Sequence, residues 1–215
     1  MRKFLFALFV LLFWGCSTLN GARPLGPQQH EAGLVLGGPL LKLGGSPIPT
    51  PNAILSFRSG LKPIFKRALE IDYGLNLTAA AFGIGQTHIG VSWQLAKQRG
   101  WRPAVSATRR LYLATDAKTF WSAKQDEVLA SWLFGQQLLY VGLANYAEIV
   151  PWEYCRLRLT PVVGLSLDPF AKDGFRFQLE WRWFNVNEEP ETEAIEWVPA
   201  SRGAYGLSFG FSYLF

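Results

Sequence analysis

The sequence is poor in the residues that soluble enzymes and metalloproteins rely on. Its 215 residues hold two cysteines, one methionine and two histidines, and only 17% are charged, against roughly 25% in soluble proteins. His30 and His88 stand far apart with no Cys pair between them, which excludes a zinc site by spacing. Cys16 and Cys155 are too few for a disulfide framework. There is no Lys/Arg run, and the formal charge is only +5, so nothing argues for nucleic acid as a partner. The longest apolar run, residues 4–14, is eleven residues long, too short to cross a bilayer as a helix. No helical period of useful length follows it.

What the chain does have is aromatic and alternating. Hydrophobic residues make up 49% and aromatics 15%, with 16 Phe, 9 Trp and 7 Tyr. Arg2 and Lys3 precede the apolar run and Gly15-Cys16-Ser17 follows it, the layout of a signal peptide over residues 1–15. Its removal takes two basic side chains and no acidic one, lowering the formal charge from +5 to +3. Residues 16–30, rich in Ser, Thr, Asn, Gly, Pro and Gln, read as an extended periplasmic linker.

From residue 31 to 215 the period is two, the period of a strand. Ten segments result: 31–42, 52–59, 67–78, 86–96, 101–115, 128–134, 136–145, 155–167, 174–184 and 203–215. The ninth is the plainest, with Phe175, Phe177, Leu179, Trp181 and Trp183 opposing Arg176, Gln178, Glu180 and Arg182. In the fifth, Arg109 falls in phase with Val105, Leu111 and Leu113, which predicts a bulge or a rim position. Residues 116–127 are polar enough to read as a loop, and Gly60, Arg99, Gly135 and 168–174 read as tight turns. Longer loops are expected near 44–51, 79–85, 116–127, 146–154 and 185–202.

The last segment sets Tyr205, Leu207, Phe209, Phe211, Tyr213 and Phe215 against Gly206, Ser208, Gly210 and Ser212. With its terminal Phe it resembles the C-terminal strand of bacterial outer-membrane β-barrels. Gly15-Cys16 after the apolar run resembles a bacterial lipobox, although Phe13 and Trp14 stand where that motif has Leu and a small residue. The resemblance implies an all-β fold: a closed, antiparallel, up-and-down transmembrane β-barrel of about ten strands, with eight or twelve as alternatives. It implies a lipid on Cys16, with ordinary cleavage near Gly21 and Ala22 as the other option. It also makes Phe209, Phe211, Tyr213 and Phe215 a signal read by the barrel-assembly machinery. Outer-membrane lipid and lipopolysaccharide are the implied partners, the N- and C-termini both lie in the periplasm, and oligomeric state is left open.

In that fold the polar rows face inward. They carry Arg58, Arg102, Arg110, Arg156, Arg158, Arg176 and Arg182 against Glu31, Glu70, Asp72 and Glu180. Such groups predict a side-chain-filled, basic lumen with a structural or surface-interaction role. A narrow anion-preferring channel or anionic-ligand site is the alternative. Catalysis is not expected. His88 and Ser92 are four apart on one strand, about 13 Å, and cannot be a Ser–His pair; a lipid-modifying enzyme is the remaining, weaker reading. Glu188, Glu189, Glu191, Glu193 and Glu196 lack the spacing of a calcium loop. No metal and no cofactor beyond the lipid is expected.

Overall fold

The computed structural model describes residues 19, 21–43, 46–49, 52–116, 118–148, 158–167, 174–187 and 203–215. Strand β1 is His30–Leu43, β2 Ser46–Pro49, β3 Ala53–Ile64 and β4 Arg67–Asn76; a short helix α1, Leu77–Ala81, follows. Then come β5 Gly85–Ala96, β6 Ala104–Thr115, β7 Phe120–Phe134, β8 Gln137–Glu148, β9 Arg158–Leu167, β10 Gly174–Phe184 and β11 Ala204–Leu214. From β3 to β11 each strand pairs antiparallel with the next, β3 also pairs with β1, and β1 pairs with β11. The result is a closed antiparallel barrel of ten strands. The small β2 lies outside this ring, folded back on the end of β1.

Closure is complete at the seam. Glu31 registers with Leu214 and Pro39 with Gly206, and His30 and Phe215 exchange both backbone hydrogen bonds, at 3.0 and 2.9 Å. No edge is left there to pair with another chain. Alternation holds around the ring: on β11, Phe209, Phe211 and Tyr213 are exposed while Ser208 and Leu214 are buried. Tyr73, Trp93 and Trp181 also lie on the exposed rows. The inner face is closely filled. Tyr140 lies over Gly164, its registered partner on β9, where a Cβ would fall 2.0 Å from the ring.

Several expectations are corrected. Residues 120–127 are strand, not loop: β7 begins at Phe120. The turn expected at Gly60 falls instead at Phe65 and Lys66, whose φ values of 51 and 59° make the two-residue geometry favoured in hairpins. β3 passes through Pro63 because the register shifts between Leu61 and Ile64, so the missing N–H falls at an irregularity. The third segment ends at Asn76, whose side chain caps α1 by accepting the Ala79 N–H at 3.0 Å. Part of the expected break at 44–51 forms β2. Asp116 closes the β6–β7 turn, accepting the N–H groups of Lys118 and Thr119 at 2.8 and 2.7 Å. Those bonds, that of Lys118 first, hold its carboxyl below the ordinary carboxylate range.

The segment before β1 is the largest departure. Of the expected periplasmic linker, residues 21–29 enter the mouth of the barrel, and Gly21, Ala22, Pro24 and Leu25 are buried. Ala22 joins Leu129, Leu138, Tyr140 and Val162 in a small apolar core inside the lumen. Linker-like composition did not keep the segment in solvent, because the lumen offers polar partners for its backbone. The Leu25 N–H donates to Glu70 Oε2 at 2.8 Å, and Ser106 Oγ donates to the Ala22 carbonyl at 3.0 Å. Gly60 makes room for the segment: its N–H donates to the Gln29 carbonyl at 2.9 Å, and a Cβ there would lie 1.8 Å from the Gly26 carbonyl oxygen.

Candidate functional site

The inner face carries two ion-paired clusters. The first, near the chain ends, joins β1, β3, β4 and β10. Arg58 donates from Nε to Glu70 Oε1 at 2.9 Å and from Nη2 to Oε2 at 2.8 Å, and reaches Glu31 at 3.1 Å. Arg176 also donates to Glu31. The inserted segment is tied into this cluster, since Arg58 Nη2 donates to the Arg23 carbonyl at 3.1 Å. Arg23 itself donates to Ser131 Oγ at 2.9 Å and to Gln98. Between the segment and the wall remains a cavity of about 40 Å³ beside Leu19, Arg58 and Arg176, room for no more than a few waters.

The second cluster lies deeper and crosses the lumen. Arg110 on β6 donates to Asp72 on β4 at 2.7 Å and stands 3.5 Å from Glu127 on β7. Arg182 on β10 pairs with Glu180 and lies 4.0 Å from the far oxygen of Glu127. Tyr140 donates to Glu180 at 2.9 Å and accepts from Gln178 at 2.6 Å. His88 stands 3.4 Å from Asp72. Ser92 bonds Thr108 at 2.8 Å, so its hydroxyl is engaged by a neighbouring hydroxyl and not by His88.

The polar residues named from sequence therefore fall as follows. Arg58, Glu70, Asp72, Arg110, Arg176, Glu180 and Arg182 come together inside the barrel, buried or nearly so. Arg158 is half-buried at the end of β9. Arg156, Cys16, Cys155 and the glutamates of 188–196 lie outside the described residues. Arg102 is not internal: it sits exposed in the β5–β6 turn, bridged to Arg99. Sequence reasoning missed Glu127 and Arg23. Glu127 was hidden in a supposed loop, and the signal that finds it is the register of β7, where it alternates with Gln125 and Leu129.

Among the described residues, the two clusters show no positive excess. Four paired arginines, Arg58, Arg110, Arg176 and Arg182, meet five carboxylates, Glu31, Glu70, Asp72, Glu127 and Glu180. Arg23, brought in by the inserted segment, makes the guanidinium groups five. Among the described residues the two clusters are therefore balanced once Arg23 is counted with them.

The outer wall is mostly apolar, and charged side chains interrupt it on β6 and β7, where Arg109, Lys124 and Asp126 point outward. Arg109 points outward from the middle of β6 and donates to Asp126 of β7 at 2.5 Å. Neither a bulge nor a rim position explains it, because the β6–β7 register runs unbroken from Ala104 to Thr115. A lone arginine at the middle of a barrel's lipid face costs about 2–4 kcal/mol, so the pair stands out against its surroundings.

Fold and surfaces together define a class: a closed ten-stranded β-barrel, apolar outside and ion-paired within. No protein-family model matches the chain, and no curated protein matches its sequence. Among solved structures it is similar to an outer membrane channel from Pseudomonas putida F1, at 9% identity over 93% of this chain and 100% of that one, with a TM-score of 0.49. It is also similar to the NanC porin, at 7% identity over 86% of this chain and 98% of that one, TM-score 0.48. A third likeness is to the translocator domain of the autotransporter NalP from Neisseria meningitidis, at 11% identity over 87% of each chain, TM-score 0.38.

Proposed function

We propose that the protein is a sealed β-barrel of a bacterial outer membrane, with a structural or surface-interaction role. One observation carries the reading: the lumen is crossed by ion pairs from β4, β6, β7 and β10 and blocked near the chain ends by residues 21–29. Exposed aromatic and aliphatic rows on the outside suit acyl chains, and closure leaves no unpaired strand edge for lipid to meet. Most charged groups that hydrocarbon would reject are gathered inside, where Arg58, Arg110, Arg176 and Arg182 each meet a carboxylate.

In this reading both termini face the periplasm, and the connections after β1, α1, β6, β8 and β10 face outward. A lipid on Cys16 would add an anchor in the inner leaflet. Phe209, Phe211, Tyr213 and Phe215 would serve assembly. The balanced interior weakens the anion-channel alternative, which needs a surplus of positive charge along a continuous path. The engagement of Ser92 by Thr108 weakens the enzyme alternative.

Two measurements test the reading. Recovery in the outer-membrane fraction with heat-modifiable migration on a gel is expected. In planar bilayers the purified chain is expected to give no steady current, and a large sustained conductance overturns the sealed lumen. Altered lipid A or phospholipid profiles on overexpression would restore the enzyme reading.

A further inference from the structure

We propose that the outer face of β6 and β7 is the contact surface of a two-fold homodimer, in which Arg109 of each copy meets the partner's Asp126. The inference rests on the reading that this wall faces lipid, and it goes beyond the sealed lumen.

The starting observation is an ion pair in the wrong solvent. The Arg109 side chain is 75% exposed and that of Asp126 is 35% exposed. Along β6, Val105 and Ala107 share the outward row with Arg109 on one side, and Leu111 and Leu113 on the other. Across the neighbouring strands it registers with Val91 of β5, while Asp126 registers with Asn145 of β8. The pair therefore lies in mid-strand, with Lys124 the next outward residue of β7, registered with Leu111. Ionisable groups within a membrane face a protein partner or a wet cavity as a rule, and pair there.

Geometry names the occupant. Arg109 and Asp126 are directly opposed on adjacent strands, so their backbones are about 4.8 Å apart across the wall. A two-fold axis along the membrane normal, passing between them, places each copy's Arg109 opposite the partner's Asp126. Two pairs then close into a ring of four alternating charges. An unrelated surface would need the reverse arrangement by chance, whereas a second copy supplies it by symmetry. The surface also has relief to accept a neighbour. Val91, Ala107, Val128 and Leu143 line an open depression together with the pair itself. Asn145, which also lines it, accepts the Arg158 N–H through Oδ1 at 3.0 Å.

The test uses the full chain in lipid nanodiscs, with mass read by native mass spectrometry and folding read by heat-modifiable migration. The native chain is expected at twice the chain mass. Arg109→Asp alone and Asp126→Arg alone each set like charges face to face, so the dimer fraction of each should fall about tenfold or more. Mixing the two variants should restore a dimer containing one of each, because two acids then meet two bases. A monomeric native chain, single variants that remain dimeric, or a mixture that stays monomeric overturns the proposal. Should a charge-reversed chain fail to fold, the double variant Arg109→Leu, Asp126→Leu replaces it. That chain is expected to be a folded monomer, and a dimer overturns the proposal. A monomer recovered in the outer-membrane fraction counts against the dimer alone and leaves the membrane reading standing.

Discussion

Arg58 and Glu70 meet through two parallel hydrogen bonds, Nε to Oε1 and Nη2 to Oε2, at 2.9 and 2.8 Å. The same guanidinium holds Glu31 and the Arg23 carbonyl. It is thus the joint between the wall and the inserted segment. Replacing it by alanine leaves the buried Glu70 without a cation and Glu31 with Arg176 alone. Arg58→Ala should lower stability by about 3–5 kcal/mol, measured by urea unfolding in detergent. A lysine at 58 cannot make the paired contact and should recover only part of the loss.

Glu127 stands between Arg110 and Arg182, at 3.5 and 4.0 Å. Its replacement by alanine leaves Arg110 with Asp72 alone and Arg182 with Glu180 alone. A double-mutant cycle of Glu127→Ala with Arg182→Ala is expected to give a coupling of about 0.5–3 kcal/mol. Additive losses would mean that the cross-lumen contact contributes nothing of its own.

Gly60 and the Gly26 carbonyl are in contact, and a side chain at 60 has no room while the segment is seated. Gly60→Val should therefore expel residues 21–29 and leave the strands folded, since residue 60 stays in register with Glu70. With Cys155→Ser as background, Leu25→Cys reports the change. Its thiol should be shielded from a membrane-impermeant maleimide in the parent and react as an exposed thiol once Gly60→Val is added. Equal labelling in both chains would remove the argument.

Phe215 closes the seam with backbone atoms, while its ring is 61% exposed and stacks near His30 at 6.0 Å. Phe215→Ala keeps both backbone hydrogen bonds. Stability of the folded barrel should change by no more than about 0.5 kcal/mol, and refolding into vesicles should proceed as before. Yield in cells should drop, because the aromatic end is what the assembly machinery would read. Equal yield would dismiss that role.

The sequence is legible where the two faces of a strand differ sharply. β10 has the bounds that alternation gives, because arginine, glutamine and glutamate oppose phenylalanine, leucine and tryptophan without exception. The first half of β7 was lost for the opposite reason. Lys124 and Asp126 point outward while Gln125 and Glu127 point inward, so both faces are polar and no period of two in hydrophobicity survives. Glu127 disappeared with that half-strand, and with it the charge balance of the interior. Gly60 looked like a turn because glycine commonly makes one, yet here it gives space to a neighbouring backbone. The true turn uses Phe65 and Lys66, residues that carry no turn signal of their own. The inserted segment has no apolar stripe to betray it, since its partners Glu70, Ser106 and Ser131 are polar. Eight of the eleven polar residues assigned to the lumen from sequence lie in the two clusters, because period two assigns a face even when it does not assign a partner.

The seam between β1 and β11 has a kinetic consequence. Every other rung of the ring joins segments that follow one another along the chain, so hairpins can form locally and early. The first and last strands must find each other across nearly the whole molecule, and loop closure of that length makes their zipping the natural slow step. Residues 21–29 precede the first strand directly, so closing that zipper brings them to the mouth they fill. Folding time should then report when the cork goes in.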